Sequence, residues 1–139
     1  MRPLASLVLL FPLVLCSQSI DEKAIRQVIY DQQNCWNAGD LECFMDGYWQ
    51  SDKLVFIGSK GITYGWEQTL ANYRKSYPSK KAMGKLSLEL IIVEPLSDDF
   101  WNVVGKWSLI RKDTNPQGYF SLLFRRLGDE WVIVSDHSS

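Results

Sequence analysis

Gln32 is the one polar residue on an otherwise apolar helical face. Ile25, Val28, Ile29 and Trp36 recur around it at three- and four-residue intervals. A buried amide needs hydrogen-bond partners, so Gln32 is either a ligand contact or a satisfied core amide. His137, the sole histidine, has the chemistry of a general base. No nucleophile stands at a readable spacing from it, however, and pairing with Asp136 or a backbone carbonyl makes it a structural clamp. Ser138 and Ser139 read as a frayed end rather than a nucleophile. Asp98-Asp99 is a turn signal, and Lys80-Lys81 and Arg125-Arg126 are short basic pairs suited to solvated faces.

One histidine excludes a multi-His metal centre, and three cysteines exclude a four-Cys zinc site. No metal and no cofactor are expected. Rings are the abundant resource: aromatics make up 13% of the chain, with six Trp. Trp36, Trp49, Phe56, Tyr64, Tyr73 and Trp107 either wall a pocket for a small apolar molecule or fill the core. Cys35 and Cys43 flank Gly39. In an exported protein they bridge two helices if their Cα atoms come within about 7 Å; otherwise they are two free buried thiols.

The elements that must position these groups occupy a chain of 139 residues, room for one domain. Hydrophobic residues at 46% and charged residues at 22% exclude whole-chain disorder. A net charge of −1 argues against nucleic acid, which requires a clustered basic excess. Residues 1–19 have the order of a secretory signal: Met1-Arg2, the apolar run Leu4 to Leu15, then Cys16-Ser17-Gln18-Ser19, with cleavage after Ser17 or Ser19. That run is too short to span a bilayer. The expected location is periplasmic or secreted. A rival reading makes Leu13-Val14-Leu15-Cys16 a lipoprotein box with Cys16 lipidated, although Leu15 is bulky there. Removal of residues 1–19 takes away only Arg2, leaves a net charge of −2 and leaves no transmembrane segment.

The domain then covers residues 20–139. The first helix stops near Gly39, and Asp40 caps a short second helix with Leu41, Phe44, Met45 and Tyr48 on its apolar face. Leu54 to Ile57 and Ile62-Thr63-Tyr64 flank a turn and predict a hairpin. A third helix carries Trp66, Leu70, Tyr73 and Tyr77 and ends at Pro78. From Lys85 the period falls to two. Leu86, Leu88, Leu90 and Ile92 line one strand; Trp101, Val103, Gly105, Trp107 and Leu109 the next; Phe120, Leu122 and Phe124 a third. Trp131, Ile133, Ser135 and His137 share a face of the last. Three helices followed by an antiparallel meander define the α+β class. Both faces of the meander carry apolar residues, Ile91, Val93, Val104 and Ile110 on one and Leu88, Leu90, Val103 and Trp107 on the other. A second copy of the chain is the expected cover, giving a homodimer.

This order resembles the nuclear transport factor 2-like superfamily, a cone-shaped fold with three N-terminal helices on a curved, mainly antiparallel sheet. The stretches that carry the resemblance are Trp36-Asn37-Ala38-Gly39-Asp40, Leu54 through Gly61, Tyr73 through Pro78, Gly105-Lys106-Trp107 and Trp131 through Ser139. The last is most similar to a SnoaL-like or YybH-like bacterial branch of unknown function. The ketosteroid isomerases of this superfamily use a carboxylate base and two acidic donors at an oxyanion. The resemblance assigns those positions to Gln32, to Phe56-Ile57-Gly58 and to Leu122 or a neighbour, none of which is a suitable acid or base. The expectation is a domain binding a small apolar molecule without assigned catalysis. The alternatives are a SnoaL-like enzyme and a non-catalytic dimerisation module.

Overall fold

In the computed structural model, which describes residues 19–139, the first helix forms where the apolar stripe predicts it. Residues 1–18, with most of the expected signal and Cys16, lie outside the described residues. Helix α1 (Ile20–Asn37) is capped by Ser19, whose hydroxyl accepts the Glu22 N–H at 3.0 Å. It buries Ile25, Ile29, Gln32 and Trp36. Gly39, at φ 79°, supplies the left-handed turn that ends it. Asp40 then caps α2 (Leu41–Met45), accepting the Cys43 N–H at 3.0 Å. The hairpin β1 (Val55–Gly58) and β2 (Gly61–Tyr64) follows, then α3 (Trp66–Ser76).

A fourth helix, α4 (Lys80–Met83), adds to the three expected. Ser79 caps it by accepting the Ala82 N–H at 3.2 Å. One turn is too short to display a helical period, so pattern reading passes over it.

The meander comprises β3 (Lys85–Pro95), β4 (Phe100–Ile110), β5 (Gln117–Leu127) and β6 (Glu130–Ser138). The six strands form one open sheet in the order β2-β1-β6-β5-β4-β3. β1 joins β6 in parallel, pairing Phe56 with Asp136; the other pairings are antiparallel. The helices pack on one face of this curved mixed sheet, the α+β arrangement expected. The core between them includes Ile25, Ile29, Met45, Leu54, Val103, Phe124 and Ile133.

The edge strand β3 is capped at Leu86 and Leu88 by polar groups of α1. The Asn37 side chain accepts the Leu86 N–H at 2.7 Å and donates to the Leu86 carbonyl at 3.0 Å. Gln33 accepts the Leu88 N–H at 2.8 Å. An edge whose backbone groups are already paired is a poor template for another strand.

Two bulges correct the simple alternation. On β3, Leu90 pairs with Gly105 and Ile92 with Val104, so Ile91 is the extra residue and Val93 packs on the core. On β6, Ser135 pairs with Leu123 but Ile133 with Phe124, leaving Val134 extra. The inward positions therefore run Trp131, Ile133, Asp136; Ser135 and His137 do not share the Ile133 face.

Candidate functional site

The helices and the concave face of the sheet enclose a cavity of about 570 Å³. Its wall is a cluster of rings contributed by different elements. Trp36 of α1 meets Phe44 of α2 edge-on at 5.2 Å and Tyr77, just past α3, at 4.9 Å between centroids. Tyr73 of α3 contacts Phe44 at 5.4 Å and Phe56 of β1 at 5.7 Å. Such edge-to-face pairs add about 0.5–1.5 kcal/mol each beyond area burial. Trp107 and Leu122 complete the sheet side.

Asp136 is the one acidic side chain among the described residues lining this cavity, and it is only 3% exposed. Its Oδ2 accepts from the Tyr48 hydroxyl and its Oδ1 from the Ser138 hydroxyl, both at 2.7 Å. Burial pushes its carboxyl up to about 6; the two hydroxyls and the nearby His137 moderate the rise. Tyr48 and Tyr73 are both held well above the usual phenol range, chiefly by burial and then by the Asp136 charge. Tyr48 has one proton and gives it to Asp136.

Tyr48 reaches Asp136 because the segment after α2 lies along β6. The Ile133 N–H donates to the Gly47 carbonyl and the Trp49 N–H to the Ile133 carbonyl, each at 2.9 Å. This extended pairing turns Tyr48 inward.

Gln32, Trp36, Phe56, Tyr73 and Trp107 line the cavity; Trp49, Tyr64 and His137 do not. Trp49 follows the inward Tyr48 and lies on the other side, where the Arg125 guanidinium sits 5.9 Å from its ring centroid. Tyr64 is 65% exposed, because Thr63 is the β2 residue that alternation turns to the cavity. The Val134 bulge turns His137 outward and Asp136 inward. Gln32 borders the cavity and also donates to the Phe44 carbonyl at 3.2 Å, tying α1 to α2. Cys35 and Cys43 join the same two helices through a disulfide, with Cα atoms 5.4 Å apart.

Sequence reading passed over Tyr48, seen only as part of an apolar helix face, and Asp136, seen only as a partner for His137. The register gives Asp136 a notable position. It pairs laterally with Phe56 on one side and Leu122 on the other. These are two of the positions where the isomerase resemblance expects acids. Among the described residues no three His, Cys, Asp or Glu side chains gather as a metal site. No described helix is long and apolar enough to cross a membrane.

Helices closing a curved mixed sheet over an aromatic cavity define a cone-type α+β fold. The chain belongs to the nuclear transport factor 2-like family. A structure of such a protein of unknown function from Shewanella oneidensis is 40% identical, with a TM-score of 0.83, over 86% of this chain and 99% of that one. A nuclear transport factor 2-like superfamily protein from Salmonella enterica is 20% identical, TM-score 0.69, covering 85% and 89%. A ketosteroid isomerase-like protein from Erwinia carotovora is 14% identical, TM-score 0.69, covering 88% and 97%. The last two establish likeness of fold alone. No protein-family model and no curated protein matches the chain.

Proposed function

We propose that this domain binds a small, largely apolar molecule in the ring-walled cavity, with one polar group of the ligand meeting Asp136 and Tyr48. The observation that carries this reading is the cavity itself. Its volume, about 570 Å³, falls within the usual range of small-molecule sites, about 300–1,000 Å³, and its base holds a few convergent polar groups on an apolar wall. N-phenylnaphthylamine, a neutral apolar fluorophore, tests it. Saturable binding with energy transfer from Trp36 and Trp107 is expected, and Leu88→Trp, which fills the cavity, should abolish it in a folded protein. Absence of saturable binding, or binding indifferent to Leu88→Trp, refutes the reading.

Acid–base catalysis is the second reading, favoured by one observation. A carboxylate near 6, flanked in register by Phe56 and Leu122, is poised to exchange a proton near neutral pH. Its place on β6 differs from the isomerase pattern, so no isomerase reaction is inferred.

An apolar cluster on the outer face of the sheet, set among polar residues such as Glu89 and Lys106, supports pairing with a second copy. Ile110 and Tyr119 are 59% and 57% exposed there, with Ile92 and Val104 between β3 and β4. Export to the periplasm or medium, with Cys16 lipidation as the rival, rests on residues 1–19 and is decided by mass spectrometry of the mature chain.

A further inference from the structure

The charges around the cavity are unevenly placed. Asp136 lies buried at its base, whereas Lys60 and Lys75, both exposed, border its mouth. Lys60 occupies the turn between β1 and β2, and Lys75 the last turn of α3. The Asn72 side chain donates to Thr63 Oγ1 at 3.1 Å, fastening the hairpin to α3, so the two lysines are carried by elements tied to each other. Neither lysine makes an ion pair among the described residues. They are also the only cationic side chains among the described residues lining the cavity, in a chain whose net charge is −1.

We propose that the ligand is an amphipathic monoanion, seated with its largely apolar body among the rings, one neutral polar group of that body meeting Asp136 and Tyr48, and a single carboxylate or sulfonate at Lys60 and Lys75. This deepens the binding reading and rests on it. The cavity also fixes the orientation. An anionic group driven inward meets the Asp136 carboxylate in a desolvated site, where like charges repel strongly. At the mouth the same group stays hydrated and meets two cations. The apolar remainder then replaces water against Trp36, Phe56, Tyr73 and Trp107.

A matched pair of probes tests the charge requirement. Anilinonaphthalene sulfonate carries the same rings as N-phenylnaphthylamine plus one sulfonate. Exposed ion pairs are individually weak, so at low salt the anionic probe should bind about fivefold to tenfold more tightly than the neutral one. Added salt should shrink that ratio. The double variant Lys60→Gln/Lys75→Gln should abolish it while leaving affinity for the neutral probe unchanged. Equal affinities in the wild type, or a preference that survives the double variant, overturn the monoanion assignment and leave the cavity reading intact. If neither probe binds, or if both ignore Leu88→Trp, the cavity reading itself has failed.

Discussion

The Tyr48 hydroxyl donates to Asp136 Oδ2 at 2.7 Å, joining residues 88 positions apart in the sequence. That contact ties the chain after α2 to the last strand. It also presents a carboxylate to the cavity with a donor on each oxygen, because Ser138 serves the other.

Asp136 gives the fold a pH dependence of definite sign. Its carboxyl is raised from 3.8 to about 6. As pH climbs through that interval the unfolded chain releases a proton that the native state retains, so stability falls with rising pH. The loss at neutral pH is about 3 kcal/mol at most, the free-energy equivalent of the shift. Urea unfolding of the wild type against Asp136→Asn should isolate this contribution between about pH 4 and pH 6.5. The wild type should lose stability relative to the variant as pH rises; a constant difference would contradict the assignment.

The disulfide between Cys35 and Cys43 closes a loop with a sequence separation of 8. Loop-closure entropy assigns it about 2.5 kcal/mol. Cys35→Ala/Cys43→Ala should lower the unfolding midpoint accordingly, and a reducing agent should bring the wild type toward the variant. A wild type indifferent to reductant would show that the bridge contributes nothing.

Gln32→Leu replaces an amide that donates to the Phe44 carbonyl and also borders the cavity. Stranding that buried carbonyl should cost about 1–3 kcal/mol of stability, read by thermal unfolding. A variant of unchanged midpoint with weakened probe binding would make Gln32 a ligand contact alone. Gly47 lies against this amide: a Cβ there would come within 2.8 Å of it, so Gly47→Ala should disturb the same junction.

Pairing through the outer sheet face predicts that Val104→Glu yields a folded monomer. Val104 lies on β4 between Ile92 and Ser121, on the face away from the helices. A buried, unpaired glutamate at a two-fold interface is costly, whereas at a solvated face it is nearly neutral. Sedimentation at tens of micromolar should show a wild-type dimer and a variant monomer; a monomeric wild type would end the proposal.

The sequence alone determined the described elements other than α4, and much of the cavity wall. The stripe through Ile25, Ile29 and Trp36, the stop at Gly39, the cap at Asp40 and the alternation from Leu86 onward are local signals, carried by residues a few positions apart. The same signals brought Gln32, Trp36, Phe56, Tyr73 and Trp107 to the cavity. The tertiary structure decided the chemistry at its base. Whether β6 presents His137 or Asp136 depends on one extra residue, Val134, in its pairing with β5. A one-residue shift exchanges the two faces of a strand, and the partner strand decides where it falls. Tyr48 belongs to the same class. Its helical spacing says only that it is buried; the pairing of Gly47 and Trp49 with Ile133 is what aims its hydroxyl at Asp136.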